Sequence, residues 1–382
     1  MTFLIVSEED IKNGITTDRY FIWTEKVLRA KEINPIVVAE VTTTDWGIFA
    51  GLNDVLNLLE GLNIDVYAMP EGTVFFPHEP VLTIVGRYLE FARYETAILG
   101  FICHASAIAK EAFKFKLAAG EKRIFSFGTR RVHPAIAAMV ERSAYIGGVD
   151  GVSNYSAEKY LGLKSMGTMP HALIICFGDQ VKAWKSFNEV VDRDVPRTML
   201  IDTYYDEKTE AILAVENVER VDAVRLDTPS SRRGKFRKII EEVRWELDIR
   251  GKRDVKIFVS GGLSIRDVIE LKDIVDAFGV GTAISGARPI DFALDIVEKE
   301  GKFVAKRGKR GGMKQVYRDW EKLEDEIKLF KDEAPKGKEP LLRKVIENGE
   351  IIEQTDMHKA RELALKQMEI IRKLNRVEEF LQ

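Results

Sequence analysis

Two glycine-rich turns in the sequence carry residue types that could bind a phosphate. The first turn, in "SGGLS", is followed by a helix, and the second, in "GVGTAIS", belongs to the next strand-like unit. Loop amides and a helix N-terminus often form a phosphate site at the last two strands of a barrel. Such turns also occur without a ligand, because glycine tolerates left-handed backbone. Since the two turns fall in consecutive strand–helix units, they predict a phosphate site formed by Ser260, Gly261, Gly262, Gly279, Gly281 and Thr282.

Carboxylates and an arginine in neighbouring segments could bind the rest of a phosphorylated ligand. Asp202 and Asp227 are each followed by threonine, and Arg225 lies two residues before the second aspartate. Either aspartate could instead be the N-cap of the helix that follows it. Together with Arg225, the pair indicates a site for a polyhydroxylated, phosphorylated ligand that carries a metal ion.

Further cationic and titratable residues lie near the predicted strand ends. Arg130 and Arg131 are adjacent, so one could form a structural ion pair while the planar fork of the other meets an anion. His171 precedes an apolar run that we predict to be a strand. A histidine in that place could be a hydrogen-bonded core residue or a catalytic group. Asp150 is also predicted to lie near a strand end.

The elements that position these residues alternate between short apolar strands and amphipathic helices. This pattern predicts a parallel sheet. The number of units favours an irregular (β/α) barrel, in which chemistry occurs at the C-terminal ends of the strands. The predicted strands are "KRIFSFG", "HALIICFG", "TMLIDT", "AVRLDTP", "VKIFVSGG" and "AFGVGTAIS".

The two ends of the chain have a different pattern. The segment "EGTVFFPHEPVLTIVGRY" predicts two short strands joined by a proline-rich turn, and strand-like segments return after about Asp291. The last sixty residues are rich in lysine and glutamate and are predicted to be mostly helical. We therefore predict an α/β fold with an α/β domain built from residues 1–118 and 292–382, beside a barrel domain at 119–291.

Composition excludes several classes of protein. The formal net charge is −3, so no bulk attraction to nucleic acid is expected. Two cysteines, Cys103 and Cys176, favour a reducing compartment and cannot form a four-cysteine zinc site. The apolar run at 97–109 is too short to span a bilayer, and the acidic turn within the first ten residues is not typical of a secretory signal. We expect a cytoplasmic protein with no membrane partner.

The order of these motifs resembles that of the nicotinate phosphoribosyltransferases, from about Thr17 to Arg318. The matching segments are "FSFGTRR", "YIGGVDGVSN", "MGTMPHALI", "LIDTYYD", "VRLDTPS", "VSGGLS", "FGVGTAIS" and "AKRGKRGGMKQVYR". The resemblance implies the type II phosphoribosyltransferase fold, an irregular barrel with an α/β domain from both chain ends. It also implies transfer of ribose 5-phosphate from phosphoribosyl pyrophosphate (PRPP) to the ring nitrogen of nicotinate.

The resemblance implies roles for individual residues. Phe127 would stack on the pyridine ring, and Asp150 would lie near that ring. His171 matches the histidine that relatives phosphorylate from ATP, and Tyr20 would enter the site from a neighbouring subunit. The glycine turns would hold the 5-phosphate, and Asp202 and Asp227 would approach the ribose hydroxyls or Mg²⁺. The remaining substrate contacts implied are Thr129, Arg130, Arg131, Thr168, Arg225, Lys306 and Lys309.

The implied cofactor is Mg²⁺ that arrives with PRPP, with ATP as a further substrate and no structural metal. The implied assembly is a homodimer or a higher homo-oligomer, because family sites lie between subunits. One departure from the family pattern is "DTPSSRRG", which starts at Asp227 where relatives carry Ser-Gly-Asp after the aspartate. It leaves the ribose or metal contact of this loop open and adds Arg232 and Arg233.

Four other functions stay open. Quinolinate phosphoribosyltransferase has the same fold but decarboxylates its substrate, and it would need a more basic pocket for the two carboxylates of quinolinate. A nicotinamide-specific relative would need no counter-charge for its neutral acceptor. A phosphometabolite-binding sensor would keep the glycine turns without activity. Another barrel enzyme of sugar-phosphate metabolism is the fourth possibility.

Overall fold

A computed structural model describes residues 3–381. Its contacts divide the chain into two compact units. The terminal unit contains residues 1–113, 145–148 and 287–380, and the central unit consists chiefly of residues 114–144 and 149–286. The division of the sequence into domains at residues 118 and 291 stays a prediction.

Antiparallel strands dominate both ends of the chain, whereas strands and helices alternate in its middle. The α-helices are α1 Glu8–Lys12, α2 Arg19–Ala30, α3 Leu52–Leu59, α4 Tyr88–Phe91, α5 Glu95–Ala119, α6 Ala137–Ile146, α7 Ser156–Leu161, α8 His171–Phe177, α9 Gln180–Val190, α10 Glu207–Asn217, α11 Phe236–Ile249, α12 Ile265–Leu271, α13 Thr282–Ser285, α14 Met357–Lys373 and α15 Val377–Leu381. The strands are β1 Ile36–Thr43, β2 Gly47–Ile48, β3 Ile64–Ala68, β4 Val74–Phe75, β5 Leu82–Arg87, β6 Arg123–Ser126, β7 Gly151–Val152, β8 Thr198–Leu200, β9 Ala223–Leu226, β10 Lys256–Val259, β11 Ala277–Val280, β12 Phe292–Lys299, β13 Lys302–Phe303, β14 Lys314–Asp319, β15 Glu324–Leu329, β16 Glu339–Pro340, β17 Arg343–Glu347 and β18 Glu350–Ile351.

The terminal unit is built on a seven-stranded antiparallel sheet with the order β13-β12-β1-β5-β3-β17-β18. Strand β1 pairs with β12, and β3 pairs with β17. Strands from the two ends of the chain therefore share one sheet, which confirms the predicted α/β element built from both ends. Smaller sheets, β15-β14-β16 and β2-β4, belong to the same unit.

Alternate residues of β1 pack into the core beneath this sheet. Val37, Ala39 and Val41 join the hydrophobic core, together with residues of α3 and of the first half of α5. Each fully buried valine or leucine side chain in this core contributes roughly 1.5–3 kcal/mol relative to exposure. The helical stretch 88–119 is long and apolar enough to cross a membrane, since its most apolar window has a mean hydropathy of 1.2, but half of that window is buried in the protein. The core helix of a soluble protein has the same properties.

The central unit is built on a six-stranded parallel sheet with the order β7-β6-β11-β10-β9-β8. All five pairings are parallel, as the alternation of strands and helices predicted. Within residues 3–381 the two outer strands do not pair with each other, so the barrel is not closed. Parallel strands place their C-terminal ends on the same rim, which is where the functional side chains are expected.

One predicted strand of this unit is a helix. The segment "HALIICFG" forms α8, which begins directly after Pro170 and ends at Gly178, a residue with φ of 67°. A central strand would bury the whole apolar run, but only Ile174 is fully buried and Ile175 is 59% exposed. The β-branched residues indicated a strand, and the turn signals on both sides together with one-sided burial produce a short helix instead.

The prediction for the last sixty residues is also wrong. They contain strands β15 to β18 before the helices α14 and α15. In "EDEIKLF" the apolar residues Ile327 and Leu329 alternate with charged ones, which is the strand period. The abundance of lysine and glutamate in this part of the chain masks the strand period.

A buried carboxyl group in the terminal unit makes stability depend on pH. Glu79 is 3% exposed, and one of its oxygens accepts a hydrogen bond from the amide of Phe76 at 2.8 Å. Its pKa is raised to about 9, first by burial and second by the charge of Asp325. Asp325 itself pairs with Arg318, which is completely buried. Glu79 therefore keeps its proton in the folded protein at neutral pH.

We predict that Glu79→Gln stabilises the protein at alkaline pH. Between the ordinary glutamate pKa and about 9, the folded state holds a proton that the unfolded state has lost. The free energy of unfolding of the parent protein therefore falls as pH rises, by at most about 1.4 kcal/mol per pH unit. Thermal midpoints measured across this window should show the variant gaining most at the alkaline end. Glu333→Gln, at an exposed position, is the control, and a gain that does not change with pH contradicts the assignment.

Candidate active site

A cavity of about 950 Å³ lies in the central unit at the C-terminal ends of its parallel strands. It brings together residues from the ends of β6, β9, β10 and β11 and from the start of α8. Most of the predicted site residues line it, namely Phe127, Thr129, Arg130, Arg131, Thr168, His171, Arg225, Asp227, Ser260, Gly261, Gly262, Gly279, Gly281 and Thr282. The roles assigned to them stay predictions.

The first glycine turn connects β10 to α12 and needs its glycines. Gly261 and Gly262 have φ angles of 96° and 72°, in the left-handed region that glycine occupies without strain. A Cβ on Gly261 would come within 2.9 Å of the carbonyl oxygen of Asp227. Within residues 3–381 the amides of both glycines donate no hydrogen bond to the protein. The turn therefore presents unused donors to the cavity.

The second glycine turn connects β11 to α13. Gly281 precedes the helix, and the amides of Gly281 and Thr282 likewise donate no hydrogen bond within the described part of the chain. Gly279 serves a different purpose, since a Cβ there would lie 2.6 Å from the ring of Phe127. The turn thus combines free amides with the space that the phenyl ring requires. Two such turns on adjacent parallel strands form a site suited to a phosphate group.

Arg225 connects the first glycine turn to Asp227. Its Nε donates to Ser260 Oγ at 2.9 Å, and its Nη1 donates to Thr168 Oγ1 at 2.7 Å. Its Nη2 pairs with Asp227 at 3.1 Å. The guanidinium carbon also lies 5.4 Å from the centre of the Phe127 ring, so the cation and the aromatic face are neighbours.

Asp202, Asp227 and His171 lie together at one side of the site, which we call the acidic side. Nε2 of His171 lies 3.8 Å from Asp202 Oδ1 and 3.8 Å from Asp227 Oδ2, which is too far for a hydrogen bond. Asp202 Oδ2 accepts from the amide of Asp227 at 2.9 Å, while its buried Oδ1 has no hydrogen-bond partner among the described residues. Burial, and then the charge of Asp227, raise the pKa of Asp202 to about 7.

The structure excludes the alternative that these aspartates are helix caps. Helix α10 is capped by Asp206, whose side chain accepts from the amide of Thr209. Helix α11 begins at Phe236, nine residues after Asp227. Neither aspartate therefore serves as a helix cap. Asp227 lines the cavity, and Asp202 lies behind it, bonded to the amide of Asp227.

Arg130 and Arg131 lie in a short 3₁₀ turn after β6 and are exposed. Neither guanidinium forms a hydrogen bond or an ion pair with any residue in 3–381, so the sequence-based alternative of a structural ion pair is not realised. Thr129, beside them, is buried, and its hydroxyl accepts from Asn154 Nδ2 at 3.1 Å. The cavity therefore has two unengaged guanidinium groups at one side.

Asp150 does not belong to the cavity, contrary to the prediction that it lies near the ring. It precedes β7 rather than following a strand, and N-terminal strand ends lie on the opposite rim of a parallel sheet. Its Oδ2 accepts from the amide of Ile124 at 2.8 Å and from Lys116 Nζ at 2.8 Å. Asp150 therefore fixes the beginning of β6, at the end of that strand remote from Phe127.

Three predicted residues lie in the terminal unit. The exposed Tyr20 donates a hydrogen bond to Asp18 at 3.3 Å. Lys306 and Lys309 both pair with Asp295, at 2.6 Å and 3.0 Å. Their predicted contacts with substrate, and the entry of Tyr20 into the site of a neighbouring subunit, stay predictions.

Sequence reasoning missed the residues that support the cavity from behind. Thr203 Oγ1 lies 3.0 Å from Nδ1 of His171 and fixes the ring. The buried Glu210 accepts from the amides of residues 203 to 205 and so shapes the loop that carries Thr203. Glu141, also buried, accepts from the amide of Asn154 at 2.9 Å. Both glutamates lie in amphipathic helices, where nothing in the sequence separates them from solvent-exposed ones.

Two family models match the chain. Residues 16–106 match the N-terminal domain of quinolinate phosphoribosyl transferase, and residues 108–295 match its C-terminal domain. Nicotinate phosphoribosyltransferase pncB2 of Mycobacterium tuberculosis (strain ATCC 25618 / H37Rv) is 33% identical over 325 residues, covering 79% of this chain and 68% of that protein. The Bacillus subtilis (strain 168) nicotinate phosphoribosyltransferase is 31% identical over 62% of this chain and 50% of its own length.

Solved structures agree with this grouping. The nicotinate-nucleotide pyrophosphorylase of Pyrococcus furiosus superposes with a TM-score of 0.95 and 53% identity, over 97% of this chain and 99% of that one. Human nicotinic acid phosphoribosyltransferase, at 19% identity, shares the fold with a TM-score of 0.72 over 93% of this chain and 94% of its own. The chain therefore belongs to the type II phosphoribosyltransferase family that includes the quinolinate and nicotinate enzymes, and it is a phosphoribosyltransferase.

Proposed function

We propose that the protein transfers ribose 5-phosphate from PRPP to nicotinate and releases pyrophosphate, a step of NAD biosynthesis. The observation that carries this proposal is the content of one cavity. Two glycine turns with unused amides, the ring of Phe127 and the guanidinium of Arg225 all line it. These groups suit, in turn, a phosphate, an aromatic ring and a carboxylate.

The glycine turns favour the 5-phosphate of PRPP as their ligand. The amides of Gly261, Gly262, Gly281 and Thr282 supply donors without any rearrangement of the protein. Donors that are already oriented lose little conformational entropy when the anion binds. The ribose would then extend from these turns towards the acidic side, where Asp227 receives a hydrogen bond from Ser260 Oγ at 2.6 Å.

The acceptor is best placed on Phe127. A pyridine ring that stacks on this phenyl face would bring a ring carboxylate near the Arg225 guanidinium, 5.4 Å from the ring centre. A planar guanidinium suits a carboxylate better than a neutral amide. This contact favours nicotinate over nicotinamide as the acceptor. The ring nitrogen attacks with its own lone pair, so no general base is required.

Cleavage of the bond between ribose and pyrophosphate develops positive charge on the sugar and negative charge on the leaving group. The carboxylates of Asp202 and Asp227 favour the first of these charges. They also fit Mg²⁺, because the buried Oδ1 of Asp202 lacks a hydrogen-bond partner among the described residues. Mg²⁺ is typically bound by one or two carboxylates and completed by phosphate oxygens. When bound, it would neutralise the leaving pyrophosphate.

His171 is proposed to couple ATP hydrolysis to turnover. Thr203 holds Nδ1 of the imidazole, which leaves Nε2 directed at the acidic pair. His171 lines the same cavity as the two glycine turns, so a phosphoryl group on its Nε2 would change the charge around PRPP. The proposed effect is on substrate affinity and turnover rather than on proton transfer.

Quinolinate is the second candidate acceptor. Arg130 and Arg131 line the cavity together with Arg225, and neither guanidinium has an acceptor within residues 3–381. A dicarboxylate could use these additional cations. Transfer to quinolinate would also release carbon dioxide, which nicotinate transfer does not, so the two reactions are separable by their products.

The acceptor is tested by measuring pyrophosphate release from PRPP with nicotinate, nicotinamide and quinolinate, each with and without ATP. We expect nicotinate to be the preferred acceptor. Replacing Arg225 with Gln should weaken the preference for nicotinate over nicotinamide by roughly tenfold or more, the size expected for one charged hydrogen-bonded contact. Preference for quinolinate with release of carbon dioxide supports the second candidate. Silence with all three acceptors contradicts the enzymatic proposal.

We predict that His171→Ala abolishes the stimulation by ATP and leaves basal transfer measurable. The imidazole is the proposed phosphate acceptor, whereas the groups around Phe127 and the glycine turns stay intact. Steady-state rates with and without ATP report both effects. The control is His78→Asn, an exposed position whose φ of 71° asparagine tolerates. A His171→Ala variant that keeps full ATP stimulation contradicts this role.

The pKa of Asp202 predicts how divalent cations bind. Because the carboxyl group is protonated below about 7, Mg²⁺ should bind less tightly as pH falls through that value. A single competing proton changes the affinity by at most about tenfold per pH unit. Titration calorimetry with Mg²⁺ and PRPP between about pH 6 and about pH 8 measures this dependence. Asp202→Asn should bind weakly and with a flatter pH profile, and an unchanged profile in that variant excludes Asp202 as the group responsible.

A further inference from the structure

The loop that departs from the family pattern contains a buried cation. Arg233 is 8% exposed, whereas the adjacent Arg232 is exposed. No carboxylate pairs with Arg233 among residues 3–381. Burying an unpaired guanidinium is costly unless hydrogen bonds replace its water. The contacts of Arg233 must therefore explain its buried position.

Three backbone carbonyls from two loops surround the guanidinium. Nε donates to the carbonyl oxygen of Thr228 at 2.9 Å. Nη2 donates to the carbonyl oxygen of Ser260 at 3.4 Å and also to that of Gly261. The ring of Phe236 covers one face, 5.1 Å from the guanidinium carbon. Arg233 thus ties the loop after β9 to the glycine turn after β10.

These contacts determine which way the amides of the turn point. In a trans peptide unit the carbonyl and the following N–H point in opposite directions. Since the carbonyls of Ser260 and Gly261 face Arg233, the N–H groups of Gly261 and Gly262 face away from it. Both glycines line the cavity, and their amides donate no hydrogen bond within the described residues. Arg233 therefore orients the donors from behind.

The same contacts fix the spacing between the turn and the acidic side. The backbone of Gly261 packs so closely on Asp227 that a Cβ would lie 2.9 Å from its carbonyl oxygen. Thr228, the next residue, is the one whose carbonyl Arg233 holds. A movement of the turn relative to Asp227 would break at least one of the contacts of Arg233.

We propose that Arg233 is a positioning residue that preorganises the Ser260–Gly262 turn for the phosphate monoester of the sugar substrate. The inference rests on the proposed function, since it assigns the 5-phosphate of PRPP to this turn. Arg233 acts through the turn and adds a positive charge behind it, without touching the substrate. Lysine cannot make all of these contacts, because a single ammonium lacks the planar fork that reaches carbonyls of two loops.

The test compares Arg233→Met, Arg233→Lys and the parent enzyme in direct binding of PRPP and, separately, of nicotinate by titration calorimetry. We expect Arg233→Met to bind PRPP roughly tenfold to a hundredfold more weakly, as expected for loss of a charged hydrogen-bonded group. Nicotinate should bind as before. The PRPP affinity of Arg233→Lys should lie between those of Arg233→Met and the parent. Arg266→Met, at an exposed position on α12, is the control and should bind PRPP like the parent.

A chemical rescue separates positioning from general stability. Methylguanidinium added to Arg233→Ala should restore PRPP affinity and lower the KM for PRPP, with kcat changed much less. Equal weakening for PRPP and nicotinate with a lowered thermal midpoint, without rescue, means that Arg233 has only a structural role and overturns the inference. Unchanged PRPP affinity in both Arg233→Met and Arg233→Lys overturns it as well. A parent enzyme that binds no PRPP contradicts the proposed function itself, so the two failures are distinguishable.

Discussion

The register of the parallel strands in the central unit is the constraint on which the site depends. Val259 of β10 pairs with Leu226 of β9, so Ser260 and Asp227 become neighbours directly beyond the sheet. Pairing of β8 with β9 brings the carboxylate of Asp202 to the amide of Asp227 at 2.9 Å. Because side chains alternate along a strand, a shift of one residue in either pair would turn these groups to the opposite face.

Charge balance then shapes the cavity. The pair Asp202 and Asp227 would repel each other without the guanidinium of Arg225, which pairs with Asp227 at 3.1 Å. The pKa of Asp202 is still raised to about 7, first by burial and second by the charge of Asp227. A site that is anionic on one side and rich in unused donors on the other suits a ligand that brings both a phosphate and a divalent cation. Arg233, behind the turn, extends this arrangement outside the cavity.

The sequence predicted those parts of the site that depend only on the backbone requirements of neighbouring residues. Glycines at Gly261 and Gly262 are needed for left-handed backbone, and this requirement is visible in the sequence. Asp150 was assigned to the wrong rim of the sheet, because proximity to a predicted strand does not show which end of that strand the residue adjoins. The helix α8 was misassigned because its β-branched residues indicate a strand, while burial on one side favours a helix. Thr203, Glu210 and Arg233 act through tertiary contacts, and their residue types occur equally on solvated surfaces.

The antiparallel terminal unit shows the same limit of prediction from sequence. Pairing of β1 with β12 joins segments more than two hundred residues apart, and the sequence predicted that the chain ends meet but gave no register for them. The strands near the C-terminus were hidden by charged residues at alternate positions. Their period was present in "EDEIKLF", but composition outweighed it in the prediction.

The most direct test of the central claim is a crystal structure of the protein with nicotinate mononucleotide bound. We expect the phosphate on the amides of Gly261, Gly262, Gly281 and Thr282, the pyridine ring on Phe127, and the carboxylate beside Arg225. A phosphate bound away from both glycine turns, or a ring that does not contact Phe127, would contradict this claim.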